Sequence, residues 1–272
     1  MQKYSQIYKL GFKKAYQYRA NFLIGLVSVI FPLIIQYFLW SGLFNSSAEN
    51  TVFGYTFSQM ISYVFFASLT TKIITTTFVY EINTDIKEGG FAKYLVKPIS
   101  YFNYNLFSYL GEKSGIMISS SVLIIAIWFI LNNPTSQAIN IANLILFFIA
   151  MSIGLILNFV IFFGICSMSF WMIDASGAIF ITTLVGTIVS GGIFPLDIFN
   201  EKVQFILHLL PFPYTSYFPV SILCGMIQQA DLFQGFAMQI FWIIVCSAIA
   251  KIAWSIGTKK FVSIGASCII QI

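Results

Sequence analysis

The sequence predicts an all-α polytopic membrane protein, and three observations lead to that prediction. Hydrophobic residues make up 58% of the 272 residues and charged residues only 8%, whereas ordinary soluble domains are about 25% charged. Aromatic residues, which favour membrane interfaces, account for 18%. Long apolar runs recur along the chain, and a spanning helix needs about 20 such residues. Lipid is therefore the expected solvent for most of this chain.

Six apolar stretches are predicted to cross the membrane as helices, because lipid offers backbone polar groups no partner outside their own segment. A transmembrane β-barrel would show short alternating strands instead. The six predicted spans are residues 21–44, 57–80, 114–131, 139–167, 175–194 and 232–256. Together with the segments around them they form one predicted membrane domain, 1–272.

The placement of lysine and arginine predicts the orientation through the positive-inside rule. Basic residues precede the first span, lie between the second and third spans, and follow the sixth span. On the opposite side, loops 45–56 and 132–138 contain none, and segment 195–231 contains only Lys202. Both termini are therefore predicted to be cytoplasmic.

Residues 1–20 are predicted to form an amphipathic helix at the inner membrane interface. Apolar and small residues recur there with a period close to 3.6, while Lys9 and Lys13 point away from them. A frayed basic tail is the alternative. The predicted apolar face consists of Tyr4, Ile7, Tyr8, Gly11, Ala15, Tyr18 and Phe22.

The predicted cytoplasmic loop 80–100 holds a large share of the charged residues of the chain. Gly89 and Gly90 are expected to end the helix that leaves the membrane, and Pro98 to end a short helical turn. The product is a compact protrusion that could dock into a groove on another protein, or else a solvated loop whose lysines only fix topology. Its charged residues are Glu81, Asp85, Lys87, Glu88, Lys93 and Lys97, and its predicted apolar ridge is Phe91, Tyr94 and Leu95.

Prolines interrupt the segment 195–226, which we call the outer segment, so it is not expected to span a membrane as one helix. It is also too apolar to lie in water. We expect two short helices that dip back into the outer leaflet, tolerated because they pack against other helices. An outer gate over a substrate pathway and an aromatic interfacial anchor are both open as its role. The residues that mark the segment are Gly191, Gly192, Pro195, Pro211, Pro213 and Tyr214.

Several kinds of chemistry are excluded by the residues that the sequence lacks. No GxxxxGK[ST] motif is present, so this chain is not expected to hydrolyse ATP. His208 is the only histidine, which excludes catalytic triads and HExxH zinc sites. Lys72 is expected to snorkel to the inner boundary, and Asp174 to cap the fifth span or to couple ions. No proton relay can be assembled, so the driving energy is expected from elsewhere.

These segments together resemble the membrane subunit of ABC-2-type ATP-binding-cassette exporters, over nearly the whole chain. The resemblance depends on the amphipathic helix, the loop 81–99, the glycine-rich stretch 190–196 and the stretch 210–214. In its Tyr-Leu-x-Lys-Pro-Ile string at 94–99, the chain resembles the bacterial branch of this family whose permeases are often encoded in pairs.

The resemblance implies a six-span permease of the bacterial plasma membrane that dimerises with a second copy or a paralogue. It implies two cytoplasmic ABC ATPase partners that hold the ATP and Mg, with no cofactor on this chain, contact with membrane lipid, and no nucleic acid. Loop 80–100 would then be the coupling element, and segment 195–226 would form the outer re-entrant helices. Expected cargo is a hydrophobic or amphiphilic compound: a drug, a peptide or a lipid-like molecule.

Two competing functions make different predictions. A stand-alone ion-coupled carrier or channel would transport without ATP and would depend on Asp174 or Lys72. A membrane-embedded lipid enzyme would need a nucleophile with a base, or a metal cluster, and a single histidine argues against it.

Overall fold

The computed structural model describes residues 2–17, 19–47, 51–131, 141–172 and 174–270. Within these ranges the chain is helical apart from turns and one antiparallel bridge between Val52 and Tyr55. The α-helices are, in chain order, α1 (Gln2–Gln17), α2 (Arg19–Ser46), α3 (Phe57–Ile74), α4 (Phe78–Lys87), α5 (Ala92–Leu95), α6 (Tyr101–Leu131), α7 (Ile141–Cys166), α8 (Ser176–Val189), α9 (Glu201–His208), α10 (Tyr217–Leu223) and α11 (Gln229–Ile270). The 3₁₀ helices are Ser167–Phe170, Leu196–Ile198 and Phe212–Tyr214.

Three of the described helices are long and apolar enough to cross a membrane. They contain the stretches Val27–Ser46, Ile141–Phe170 and Asp231–Val262, which coincide with the first, fourth and sixth predicted spans. Helices also occupy the other three predicted spans, but they do not meet the same criterion within the described residues. The six-span count therefore stays a prediction, and the polar loop predicted at 132–138 lies outside the described residues.

The predicted second span, 57–80, is not one continuous helix. α3 ends at Ile74, Thr75 has dihedral angles of φ −45° and ψ 127°, and three non-helical residues separate α3 from α4. Carbonyl groups freed by this break accept hydrogen bonds from other helices: Lys113 donates to Thr75, and Asn158 donates to Ile74. Because those donors are distant in the chain, local hydropathy gives no sign of the break.

The predicted fifth span, 175–194, contains the 14-residue helix α8, which is roughly 21 Å long at about 1.5 Å per residue. That length is below the ~30 Å of a bilayer core. After α8 the chain turns at Gly191, which has a positive φ of 71°. The predicted N-cap at Asp174 is wrong by one position, since Ala175 precedes the helix. The Asp174 carboxylate nevertheless accepts a 2.9 Å hydrogen bond from the backbone N–H of Ser176.

Helix α1 occupies the segment for which an amphipathic helix is predicted, and it runs alongside the first half of α6. The two backbones meet at glycines: a methyl group on Gly11 would overlap the carbonyl oxygen of Ser108, and one on Gly111 would overlap that of Tyr8. The Tyr8 hydroxyl also donates to the hydroxyl of Ser114 at 2.8 Å. The frayed-tail alternative does not describe this helix, and its place at a membrane interface stays a prediction.

Helix α7 is the most enclosed of the three long apolar helices. In the apolar stretch of α7, 56% of the residues are buried, whereas only 11% are buried in each of the apolar stretches of α2 and α11. α10 and α11 pack against it, and Phe78 of α4 and Phe102 of α6 contact the Phe159 ring at centroid distances of 4.9 and 5.4 Å. Most side chains of the stretches Val27–Ser46 and Asp231–Val262 are therefore at least partly exposed to lipid or to another chain.

Candidate functional site

The predicted coupling segment begins as a helix with one apolar face. The residues of α4 that lie three or four positions apart share one face, which points into the protein. The buried residues are Phe78, Val79, Ile82, Asn83 and Ile86, while Glu81, Lys87 and Glu88 are exposed. This burial fixes α4 on the helices behind it and leaves its charged face free.

A tight turn follows α4, and Asp85 accepts three of the hydrogen bonds that hold it. Gly89 supplies the positive φ of 76° that the turn needs, and the Phe91 N–H donates to the backbone carbonyl of Asp85 at 2.8 Å. The Asp85 carboxylate accepts from Lys93 at 3.3 Å and from the Tyr101 hydroxyl at 3.1 Å. These bonds hold α5 in one orientation relative to α4 and α6.

Phe91 is the buried anchor of this segment, which corrects the prediction that it forms an exposed ridge with Tyr94 and Leu95. Only 2% of Phe91 is exposed. Its ring lies edge-to-face with four other rings at centroid distances of 5.0 to 5.7 Å, a favourable aromatic geometry. Those rings belong to Tyr101, Phe170, Trp254 and Phe261, which come from α6, a 3₁₀ helix and α11.

The outermost part of the segment consists of Leu95, Val96 and Lys97, which we call the tip. Leu95 is 47% exposed and Val96 is 84% exposed. Tyr94 is half-buried beneath them, and the ammonium groups of Lys93 and Lys97 lie 5.1 and 5.9 Å from its ring centroid. The tip therefore presents an apolar surface edged by positive charge.

An ion pair ties the end of α4 to the start of α8. The Lys87 ammonium lies 2.8 Å from the Asp174 carboxylate, and the Asn83 side chain accepts from the Ser169 hydroxyl at 2.9 Å beside it. Hydrogen bonds from Lys87, then Ser176, then Asn83 hold the pKa of Asp174 well below its usual range. Asp174 therefore stays ionised at neutral pH, and the hydrogen bond to it raises the pKa of Lys87.

A second ionic contact joins the coupling segment to α1. Lys14 lies 3.0 Å from Glu81 and 3.7 Å from Glu112 of α6. The side chains of Lys14 and Glu81 are 43% and 63% exposed, and exposed pairs contribute only about 0–1 kcal/mol. This contact orients α1 and α4 more than it stabilises them.

The glycines predicted at the outer end of the fifth span lie in close packing. The Tyr63 hydroxyl donates to the carbonyl of Gly191 at 2.8 Å, and the Thr71 hydroxyl lies 3.4 Å from that of Gly192. Pro195 then leads into the 3₁₀ helix Leu196–Ile198. These contacts bind the turn to α3.

The remaining predicted outer residues lie in the 3₁₀ helix Phe212–Tyr214, which Pro211 precedes. Pro213 and Tyr214 are buried. Gln239 of α11 donates to the carbonyl of Tyr214 at 2.8 Å, and the Tyr214 hydroxyl donates to the carbonyl of His208 at 2.9 Å. This packing is compatible with both roles considered for the segment, an outer gate and an interfacial anchor.

Sequence reasoning missed the residues that receive the coupling segment, above all Trp254 and Phe261 on α11. They are seven residues apart and so lie on one helix face, a signal that was present in the sequence. Nothing local connects that face with Phe91, which is more than 160 residues earlier. The pairing of Lys87 with Asp174 was missed for the same reason.

The model of the family described as "ABC-2 family transporter protein" matches residues 30–265, which include the coupling segment, the outer segment and the α11 residues that contact Phe91. The chain belongs to this family. No curated protein and no solved structure matches the chain. Members of the ABC-2 family are generally non-catalytic membrane components of transporters, and this chain is accordingly a membrane protein of that kind.

Proposed function

We propose that this chain is the permease subunit of an ATP-driven ABC exporter that moves a hydrophobic or amphiphilic compound out of the cytoplasm. It lies in the bacterial plasma membrane with both termini in the cytoplasm. Two ABC ATPase subunits supply the ATP chemistry, and a second permease copy or a paralogue completes the transport path. The residues of this chain perform no catalysis.

The observation that carries the proposal is an exposed apolar tip on a firmly anchored segment. Val96 is 84% exposed and lies beside Leu95. Burial of these apolar side chains against a partner lowers the free energy, because it removes apolar surface from water. The segment behind the tip is fixed at Phe91 by four rings and at Asp85 by two side chains. A partner that grips the tip therefore moves the whole segment and does not merely bend a loop.

Two connections carry such a movement into the membrane helices. The Lys87–Asp174 ion pair leads to α8, and the Phe91 ring leads to Trp254 on α11, at a centroid distance of 5.6 Å. When ATP draws two ATPase subunits together, each tip is displaced and these helices shift with it. Packed elements switch between discrete arrangements rather than deforming continuously, which suits alternate opening of a path.

The alternative, an ion-coupled carrier, is disfavoured by the geometry around Asp174. A proton-coupling carboxylate has to bind and release protons near neutral pH. The hydrogen bonds from Lys87 and Ser176 lower the pKa of Asp174 instead, and 45% of its side chain is exposed. Asp174 is therefore a fixed structural anion, which argues against one of the two residues on which the carrier alternative depends.

Affinity purification from native membranes in mild detergent tests the proposal. We expect a subunit with a GxxxxGK[ST] motif to copurify with the chain and to hydrolyse ATP. Val96→Asp should abolish copurification, because it places a charge at the centre of the contact. Val203→Asp is the matched control, since Val203 is also exposed but lies on α9 in the predicted outer segment.

Two results would contradict the proposal. The first is uphill transport by the purified chain in liposomes without any ATPase or nucleotide. The second is labelling of Val96→Cys from outside intact cells by a membrane-impermeant thiol reagent, with the unsubstituted chain as background. The expected labelling occurs only in inside-out vesicles.

A further inference from the structure

A largely apolar groove of about 260 Å³ lies between α2, α3 and α8, beside the break that separates α3 from α4. Lys72 is the one charged residue among those that line it, and Gln36 of α2 contributes an amide. Thr75, the first residue of the break, also lines the groove. A cation in such a groove needs a compensating partner, because half-burial removes part of its hydration.

Three of the hydroxyl groups that line the groove already donate within their own helices. Ser68, Thr75 and Thr187 each donate to a backbone carbonyl four residues earlier, at 2.8, 2.7 and 2.9 Å. Neither Lys72 nor Gln36 has a hydrogen bond or ion pair anywhere in the part of the chain that the structure describes. The Lys72 ammonium and the Gln36 amide are therefore two donors that remain open to a ligand.

An apolar surface lies next to these two donors. On α2, Phe31 and Ile35 flank the groove residues Pro32 and Gln36 and are 71% and 51% exposed. A molecule that satisfied Lys72 could therefore rest a hydrocarbon chain on α2. A positively charged groove beside an exposed apolar helix matches an anionic amphiphile.

We propose that this groove binds the phosphate or carboxylate head group of an anionic amphiphile, which is the cargo class of the exporter. This inference rests on the proposed function and narrows its substrate. Lys72 forms a charge-assisted hydrogen bond to the head group, the Gln36 amide donates a second, and the tail lies along α2.

The position of the groove also gives cargo a route to the coupling segment. Thr75 lines the groove, and its carbonyl accepts the hydrogen bond from Lys113 that holds the α3–α4 break together. A head group on Lys72 therefore sits within one helical turn of the joint that carries α4. Cargo binding can bias the orientation of α4, and through it the tip.

Direct binding tests the head-group preference without any ATPase. The purified chain in a neutral maltoside detergent is titrated with dodecyl phosphate, with dodecylphosphocholine and with inorganic phosphate, and binding is followed by native mass spectrometry and thermal unfolding. Dodecyl phosphate should bind at least about tenfold more tightly than dodecylphosphocholine. Lys72→Gln should remove that preference, Lys72→Arg should keep it, and Lys202→Gln is the matched control that should also keep it.

Three results would overturn the binding assignment. They are a preference that survives Lys72→Gln, equal affinity for both dodecyl probes, and inorganic phosphate binding as tightly as dodecyl phosphate. In the first case, a Lys72→Gln protein that also unfolds at a lower temperature would show a purely structural lysine at the end of α3.

Transport distinguishes cargo from a bound bilayer lipid. In phosphatidylcholine vesicles that contain the ATPase complex, dodecyl phosphate should stimulate ATP hydrolysis and cross the bilayer in an ATP-dependent way. Both effects should be lost in Lys72→Gln and kept in the control Lys202→Gln. Stimulation without movement, by dodecyl phosphate or by phosphatidylglycerol, would show a bound lipid and overturn the cargo assignment. Absence of an ATPase would refute the proposed function, whereas the binding assay would still decide the head-group preference.

Discussion

The ammonium group of Lys87 lies 2.8 Å from the carboxylate of Asp174, so the last turn of α4 is tied to the residues that lead into α8. The same segment is fixed to α6 through Asp85 and Tyr101, and to α11 through Phe91 and its ring partners. Three separate attachments leave the segment little freedom to move alone. A displacement of the tip is therefore shared by several helices.

The first prediction concerns the pH dependence of the Lys87–Asp174 ion pair. The pKa of the Asp174 carboxyl group is lowered in the folded protein. The contribution of the ion pair to folding stability is therefore complete above the ordinary Asp pKa of about 3.9. It is lost progressively as pH falls from that ordinary value through the lowered folded value. The difference in unfolding temperature between the unsubstituted chain and Asp174→Asn should therefore stay constant from about pH 7 to pH 5.

Thermal unfolding in detergent at several pH values measures this difference. Lys87→Gln serves as the companion variant and should remove the same contribution, because either substitution breaks the pair. A difference that vanishes between pH 7 and pH 5 would mean that Asp174 titrates in that range, and the ion pair would not hold its charge.

The second prediction separates anchoring from partner contact. Phe91→Ala should destabilise the protein by about 3–5 kcal/mol, the usual cost of emptying a buried phenylalanine site, and should lower the unfolding temperature. Val96→Ala should leave the unfolding temperature unchanged, because Val96 is 84% exposed, yet should weaken copurification of the ATPase. If both variants changed stability equally, the distinction between anchor and tip would be wrong.

Local signals in the sequence predict the turns of the segment 80–100 but not its buried side. Gly89 and Pro98 are steric signals that act on neighbouring residues, and the chain does turn at Gly89 and leave the helical state around Pro98. Burial of Phe91 depends on Trp254 and Phe261, whose approach is set by the packing of α11. A periodic pattern shows that a residue is apolar, but it does not reveal which distant surface covers it.

The same limit applies to the membrane helices. Hydropathy predicts apolar stretches such as 57–80, but it does not register the break at Thr75, whose carbonyl finds its donor in Lys113. Likewise, the charge and spacing of the first twenty residues predict an amphipathic helix, whereas the contact of Gly11 with α6 requires knowledge of both backbones. Nonlocal pairing is the information that a single sequence lacks.

The third prediction tests the contact between α1 and α6. Gly111→Ala should detach α1, because the new methyl group would overlap the backbone carbonyl oxygen of Tyr8, which a side-chain rotation cannot relieve. Trypsin should then cleave the detached α1 faster after its lysine residues. Gly177→Ala is the control, since a Cβ there meets nothing within 4 Å, and alanine in an open helical site stabilises by about 0.5–1 kcal/mol.

Limited proteolysis followed by mass spectrometry measures cleavage after Lys9, Lys13 and Lys14. The prediction fails if Gly111→Ala and Gly177→Ala are cut at the same rate. That result would mean that α1 is held by the Lys14 ion pairs rather than by close backbone packing.

The fourth prediction separates two reasons why a position requires glycine, and it compares Gly191, just before the outer segment, with Gly225 within it. Gly191 and Gly225 have positive φ values of 71° and 67°, so alanine at either site carries a backbone cost of about 1–2 kcal/mol. At Gly191 the new Cβ would also lie 2.9 Å from Tyr217 and from the Tyr63 hydroxyl, whereas at Gly225 the nearest atom is 3.6 Å away, on Asn143. Gly191→Ala should therefore lower the unfolding temperature more than Gly225→Ala. Equal shifts in detergent unfolding would show that backbone conformation alone requires both glycines, and that the packing of the outer segment on α3 tolerates an added methyl group.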